Sequence, residues 1–197
     1  MVNAVEFTFC TTFDSPTYDY SEKLLSFLLK KTNEKHSMSR LRLPDINHQR
    51  MAKQFASGKS PCSVIILSSE NLRGDMGLTM VPIPLSKGLL GARVLIYHPD
   101  IKERWLAISN VEQLKNSFTL GSVSHWNSSQ IFMDAGFNVI YGNSLVGLWR
   151  MFNGKRFDLM HRSIMEAEGE RLQNIETKNE FHIDTKFLFT YKADIFF

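Results

Sequence analysis

Residues 141–168, YGNSLVGLWRMFNGKRFDLMHRSIMEAE, constrain the fold more than any other part of this chain. The stretch reads as turn, helix, turn, strand, turn, helix. Gly142-Asn143 is a break, and Ser144 is placed as an N-cap, since a serine hydroxyl accepts from the unpaired N–H groups of a first helical turn. Leu145, Leu148, Trp149 and Phe152 recur at helical spacing and give 144–153 one apolar face. Asn153-Gly154 ends that helix through the left-handed cap that both residue types tolerate. Residues 157–160 are then a short strand, and Arg162-Ser163 stands where the strand hands over to the next helix. Ligands of open α/β sheets gather at the carboxyl ends of strands, which makes Arg162 a candidate contact. Alternation along the strand sends the neighbouring His161 to the opposite face.

Upstream, the pattern alternates between strand and helix. Residues 5–11 form a strand. An amphipathic helix over 18–31 follows, with Leu24, Leu25, Leu28 and Leu29 turned inward. Residues 38–43 are a second strand, and Asp45 or Asn47 caps a helix that runs to Ala56 and stops at Gly58. The apolar run 63–67 has the signature of a central parallel strand buried on both faces. This β-α-β-α-β order predicts a parallel sheet flanked by helices. Residues 88–97 read as a long strand, 101–116 carry a helical signal, and 118–123, 128–135 and 138–141 repeat strand, helix, strand. A second β-α-β-α-β unit results, and 187–191 leads the chain back toward the first.

Two loops hold candidate ligand contacts. Arg73 follows the apolar run, and an arginine is suited to clamp a carboxylate. The 124–129 loop enters a helix, whose amino end attracts anions; Ser128 adds a hydroxyl and Trp126 a flat wall. Glu166, four residues beyond Arg162, either pairs with it across one helical turn or meets a ligand ammonium.

The segment 148–170 resembles the second lobe of the type II periplasmic binding proteins, in particular the family 3 extracellular solute-binding proteins. The resemblance rests on Gly154-Lys155-Arg156-Phe157-Asp158, a "GRFD"-like turn with one inserted residue, followed by Arg162, Ser163 and Glu166. Val81-Pro82-Ile83-Pro84-Leu85-Ser86-Lys87-Gly88-Leu89-Leu90-Gly91 resembles the family's crossover between lobes. The resemblance implies two α/β lobes, each a mostly parallel sheet flanked by helices, joined by two hinge crossovers. Lobe one would be 1–88 with 188–197, incomplete at its carboxyl end, and lobe two 89–187. It further implies a binding protein that closes on a small polar, amino-acid-like solute in an interlobe cleft and hands it to the membrane permease of an ABC transporter. Such a protein works in the periplasm, although Met1-Val2-Asn3 leads straight into a strand with no signal peptide in this chain. The implied contacts are Ser69, Arg73, Trp126, Ser128, Ser144, Arg162 and Glu166, with no cofactor or metal. The same fold serves as a sensory input domain, and a degenerate member would bind nothing.

Composition argues in the same direction. A net charge of +3 without a dense Lys/Arg run gives no footprint for nucleic acid. The six histidines are scattered, and no phosphate loop, nucleophile elbow or HExxH motif is present, which argues against an enzyme. If Cys10 ends one strand and Cys62 begins a parallel neighbour, roughly 15–20 Å separates them at about 3.3 Å per residue. Two free, buried thiols are the expectation.

Overall fold

In a computed structural model, residues 5–12, 14–43, 46–69, 77–176 and 180–197 are described. The first strand, β1 (Val5–Thr11), leads through Ser15, whose hydroxyl accepts from Tyr18 N–H, into α1 (Pro16–Leu29). Proline at the first helical position loses no hydrogen bond there. The buried face of α1 is Thr17, Tyr18, Ser21 and Leu25; Leu28, expected inside, is 46% exposed. β2 (His36–Arg42) pairs parallel with β1, and α2 (His48–Ala56) starts at Asn47, which caps Arg50 N–H. Gly58 lies beyond α2 at a positive φ of 67°.

The apolar run that follows is buried at Ile65, Ile66 and Leu67, yet it is not a regular central strand. Ser63 and Val64 both donate to Thr8 O, and the parallel ladder is one bridge, Phe9 to Val64. Only Leu67–Ser68 (β3) is extended in a sheet, antiparallel to the last strand of the chain. This irregularity overturns the expectation of free thiols. The chain bends at Pro61 instead of entering a strand, and Cys62 lies 5.6 Å (Cα–Cα) from Cys10 in a disulfide.

After a 3-10 turn over Leu89–Gly91, β4 (Ala92–Tyr97) begins, four residues later than its apolar pattern suggested. The single helical signal at 101–116 resolves into α3 (Lys102–Leu106) and α4 (Val111–Ser117), the second capped by Asn110. β5 (Thr119–Val123), α5 (Asn127–Asp134), β6 (Asn138–Gly142), α6 (Leu145–Asn153), β7 (Leu159–Ser163) and α7 (Ile164–Glu176) alternate as read from the sequence. β7 lies two to three residues downstream of its predicted position, so Arg162 is inside the strand and not past it. Short strands β8 (His182–Ile183), β9 (Phe189–Thr190) and β10 (Ile195–Phe196) complete the chain. Gly154 does not take the left-handed cap of α6: its φ is −82°, and Lys155 adopts the positive φ of 54°. Arg156 N–H reaches Met151 O and Lys155 N–H reaches Phe152 O, a Schellman closure one residue later than expected.

Two compact units result: residues up to Gly91 with Tyr191–Phe197, and Ala92–Thr190. In unit two the strand order is β6-β5-β7-β4-β8, with β9 also on β4. β6, β5 and β7 are mutually parallel, whereas β4 runs antiparallel to β7, β8 and β9, giving a mixed sheet. Neighbouring residues on a strand supply opposite cores. Leu95, Tyr97, Leu120 and Leu159 pack with Trp105, Leu114, Phe132 and Phe137 on one side. Ile96, Val123 and Met160 pack with Leu148, Phe152, Phe157 and Phe181 on the other. Gly121 is needed there, because a Cβ would collide with the Phe157 ring. Unit one is held by a core of Phe9, Tyr18, Leu25, Ile66, Leu85 and Ile195, with Met51, Ala52 and Leu67 around the disulfide.

Candidate functional site

Parallel pairing of β6, β5 and β7 brings their carboxyl ends side by side, and each leads into a helix. Ser124 N–H donates to Gly142 O at 3.0 Å, tying the loop after β5 to the end of β6. The three helix starts differ in what already occupies them. Ser144 Oγ accepts from Gly147 N–H at 3.0 Å and closes α6. α7 is closed from both directions: Ser163 Oγ accepts from Met165 N–H at 3.2 Å, and Glu166 reaches back to Ser163 N–H at 3.3 Å. This is a capping box. The N-cap of α5 is Trp126, whose indole has no acceptor, and no described side chain caps it. Its first turn therefore keeps the positive dipole end that attracts an anion, with Ser129 N–H already given to Trp126 O at 3.1 Å.

Trp126 is half-buried and stands at the meeting point of two side chains from β7. The Arg162 guanidinium lies 5.2 Å from its ring centroid, within cation–π range, and the His161 ring is edge-on at 5.8 Å. Ser128, two residues on, is 1% exposed. His125, also half-buried, has its imidazole pKa pushed down by burial.

Arg162 is 2% exposed and bound by the protein's own carboxylates. Its Nε donates to Glu170 Oε2 at 2.7 Å and its Nη2 to Glu170 Oε1 at 2.5 Å, while Glu166 Oε2 lies 3.2 Å from the same Nη2. Arg93 on β4 adds a second cation, with Nη1 3.6 Å from Glu166 Oε2. Two arginines thus face two glutamates in the interior, the pairing a buried charge requires. Burial pushes the Glu170 carboxyl upward against the pull of Arg162, and the negative charge of Glu166 adds to the push.

His161, fully buried, ends a relay of hydroxyls. Ser129 Oγ donates to Val123 O at 2.6 Å, so Ser122 Oγ must donate to Ser129 Oγ, also at 2.6 Å. Ser122 Oγ then accepts from His161 Nε2–H at 2.7 Å, which leaves Nδ1 as the bare acceptor of a neutral ring. Burial, with Arg93 and Arg162 nearby, holds this imidazole well below its usual range.

The anticipated contacts thus divide. Trp126, Arg162 and Glu166 come together; Ser128 follows Trp126 as a buried residue of α5; Ser144 caps the helix at the adjoining strand end. Ser69 belongs to unit one, exposed, its hydroxyl accepting from Asp194 N–H at 3.2 Å. Arg73 lies outside the described residues. Glu170 and Arg93 were not anticipated. The first was legible as the next turn after Glu166 on the same helix face, and the second only through strand pairing. The sequence Ser163-Ile164-Met165-Glu166 carries the capping-box signature, and this assigns Glu166 a local partner. Among the described residues no helix is long and apolar enough to cross a membrane, and no group of three or more His, Cys, Asp or Glu is placed to hold a metal ion.

No protein-family model matches this chain, and no curated protein matches it. Solved structures do. The periplasmic VFT2 domain of BvgS from Bordetella pertussis aligns with a TM-score of 0.66 at 13% identity, over 98% of this chain and 79% of that one. The ligand-binding core of GluR0 in complex with L-glutamate gives 0.61 at 10% identity, over 98% and 84%. An ancestral arginine-binding protein bound to arginine gives 0.60 at 14% identity, over 100% and 85%. At these identities the likeness speaks for architecture alone, and the chain has the two-lobed α/β fold of periplasmic binding proteins.

Proposed function

We propose that this chain is a solute-binding protein for a small polar, amino-acid-like molecule, and that it serves an ABC-type transporter outside the cytoplasm. The observation that carries the reading is the uncapped start of α5 beside Trp126, at the joined carboxyl ends of three parallel strands. A solute carboxylate suits the positive amino end of that helix, with Ser128 in the turn and Trp126 as an apolar wall. Ser144 lines the adjoining strand end, and Arg162 and Glu166 set the polarity beneath Trp126. Ser69 and Arg73 are proposed as further ligand contacts. Fold neighbours described as bound to arginine and to L-glutamate support the solute class. The Cys10–Cys62 disulfide supports an oxidising compartment.

A second reading is favoured by one observation. Both carboxylate oxygens of Glu170 already fill Arg162, as expected of a member of this fold that has lost its solute. A thermal-shift screen against amino acids, small carboxylates, polyamines and sugars separates the two. A ligand at one hundred times its Kd stabilises by about 2.7 kcal/mol. A hit that disappears in Trp126→Ala supports the binding role. A cooperative melt that no compound moves overturns it in favour of the degenerate form.

A further inference from the structure

Unit one contains a cavity of about 330 Å³ whose walls are almost wholly apolar. Phe7, Leu25, Val64 and Leu67 form part of its interior, and Leu28 and Met80, 46% and 41% exposed, belong to its lining as well. One wall is the segment through Val81, hung on the end of the chain by Val81 N–H to Phe197 O at 2.9 Å. Among the described residues no charged side chain lines this space, and its polar members are Ser63 and Thr79.

We propose that this cavity is a binding site for an uncharged, largely apolar small molecule carrying one hydrogen-bond acceptor. Size and chemistry both lead there. A sealed cavity of about 150 Å³ lined by Leu, Ile and Phe takes up benzene, and this pocket, open to solvent beside Leu28 and Met80, is about twice that volume. Water finds too few polar partners among these walls, while an apolar body gains from leaving solvent. Among the described lining residues none carries a charge to meet an ionic group, which disfavours a ligand whose charge sits inside the pocket. Ser63 supplies the polar contact: its Oγ accepts from Thr8 N–H at 3.2 Å and retains a hydrogen to donate. The ligand accordingly presents a carbonyl or ether oxygen at one point and hydrocarbon elsewhere.

The test uses the whole chain and the fluorescent apolar probe N-phenyl-1-naphthylamine, with 2-decanone and decanoate as competitors. Expected are saturable emission with a single probe per chain, displacement by 2-decanone, and competition by decanoate weaker by about tenfold or more. Ser63→Ala should weaken 2-decanone by about fivefold, the worth of one neutral hydrogen bond, and leave the probe unaffected. Leu78→Trp and Thr79→Phe each block the space with an added ring and should abolish probe binding while the melt stays cooperative. Three outcomes overturn the proposal: no saturable emission from a chain that melts cooperatively, undiminished binding in both blocking variants, or dimers by sedimentation that exclude the probe and assign the cavity to a second copy.

Discussion

Glu170 holds Arg162 in a two-point grip across eight residues of sequence, and both side chains are buried. Arg162 comes from a strand buried along its whole length, so its charge has no route to water. Removing one partner leaves a buried charge uncompensated. Glu170→Ala is expected to cost about 3–5 kcal/mol in urea unfolding. The double substitution Arg162→Met/Glu170→Met should be much less damaging than the sum of the single changes, because it removes the stranded charge.

The disulfide closes a loop with a sequence separation of 52 residues. In the chain-entropy account a loop of that size contributes about 4 kcal/mol. Melting with and without dithiothreitol measures this directly. Reduction should lower Tm by many degrees, and a Cys10→Ala/Cys62→Ala variant should match the reduced protein and ignore the reductant.

His161 should make unit two acid-sensitive. Its folded-state pKa is held well below 6.5 by burial, with Arg93 and Arg162 adding to the effect. The unfolded chain takes up a proton near its ordinary pKa and the folded chain does not. Stability is therefore fully present above pH 6.5 and falls below it, by about 1.4 kcal/mol per pH unit for one proton. Urea titrations at pH 7.5, 6.0 and 5.0 should show this slope, and His161→Gln should flatten it.

Asp194 should act in the same direction at lower pH, through a stabilised charged form where His161 acts through a neutral one. Burial draws its carboxyl upward, but hydrogen bonds from the Ser86 hydroxyl and from the N–H groups of Ser86, Gly88 and Ile195 hold it below the usual carboxylate range. Its contribution is present above the unfolded pKa near 4 and is lost as pH falls through the lower folded value. Asp194→Asn is expected to cost about 1.5–3 kcal/mol at pH 7, the range for a hydrogen bond to a charged group. At pH 2 the difference from the parent should shrink, as a two-pH denaturation series would show.

What could be read from the amino acids alone was what local chemistry decides. Asn47 and Ser144 cap the helices they were expected to cap, because a short polar side chain before an apolar-periodic run has few other uses. Segment order in unit two was legible because helix and strand periods differ, and β5, β6 and α6 sit close to their predicted positions. Features that depend on pairing between distant segments were not legible. Cys10 and Cys62 looked far apart only on the premise that 63–67 forms a regular ladder, and one bridge stands in its place. Leu28 fits an inward stripe on α1, yet the helix buries Thr17, Tyr18 and Ser21 instead, since Tyr18 finds hydroxyl and imidazole partners in Thr12 and His48. Arg162 was singled out by its position at a strand end. Its true surroundings depended on where the strand stops, and a shift of two to three residues turns a loop-edge contact into a buried ion pair.

The division of the chain also dictates an order of events. Unit two is continuous, from Ala92 to Thr190, with β5 and β6 joined through α5 and with β4 pairing later strands of the same segment. Unit one is interrupted: Leu67–Ser68 must wait for Ile195–Phe196 before either is paired. A contact of such long range carries a high closure cost and is made late. As the polypeptide emerges, the first third can close its disulfide loop and the middle can fold to completion, while the cavity wall at Val81 remains open until Phe197 arrives. Unit one is thus the part of the molecule most exposed to misassembly, and the covalent link across its first half shortens the search that its last strand has to end.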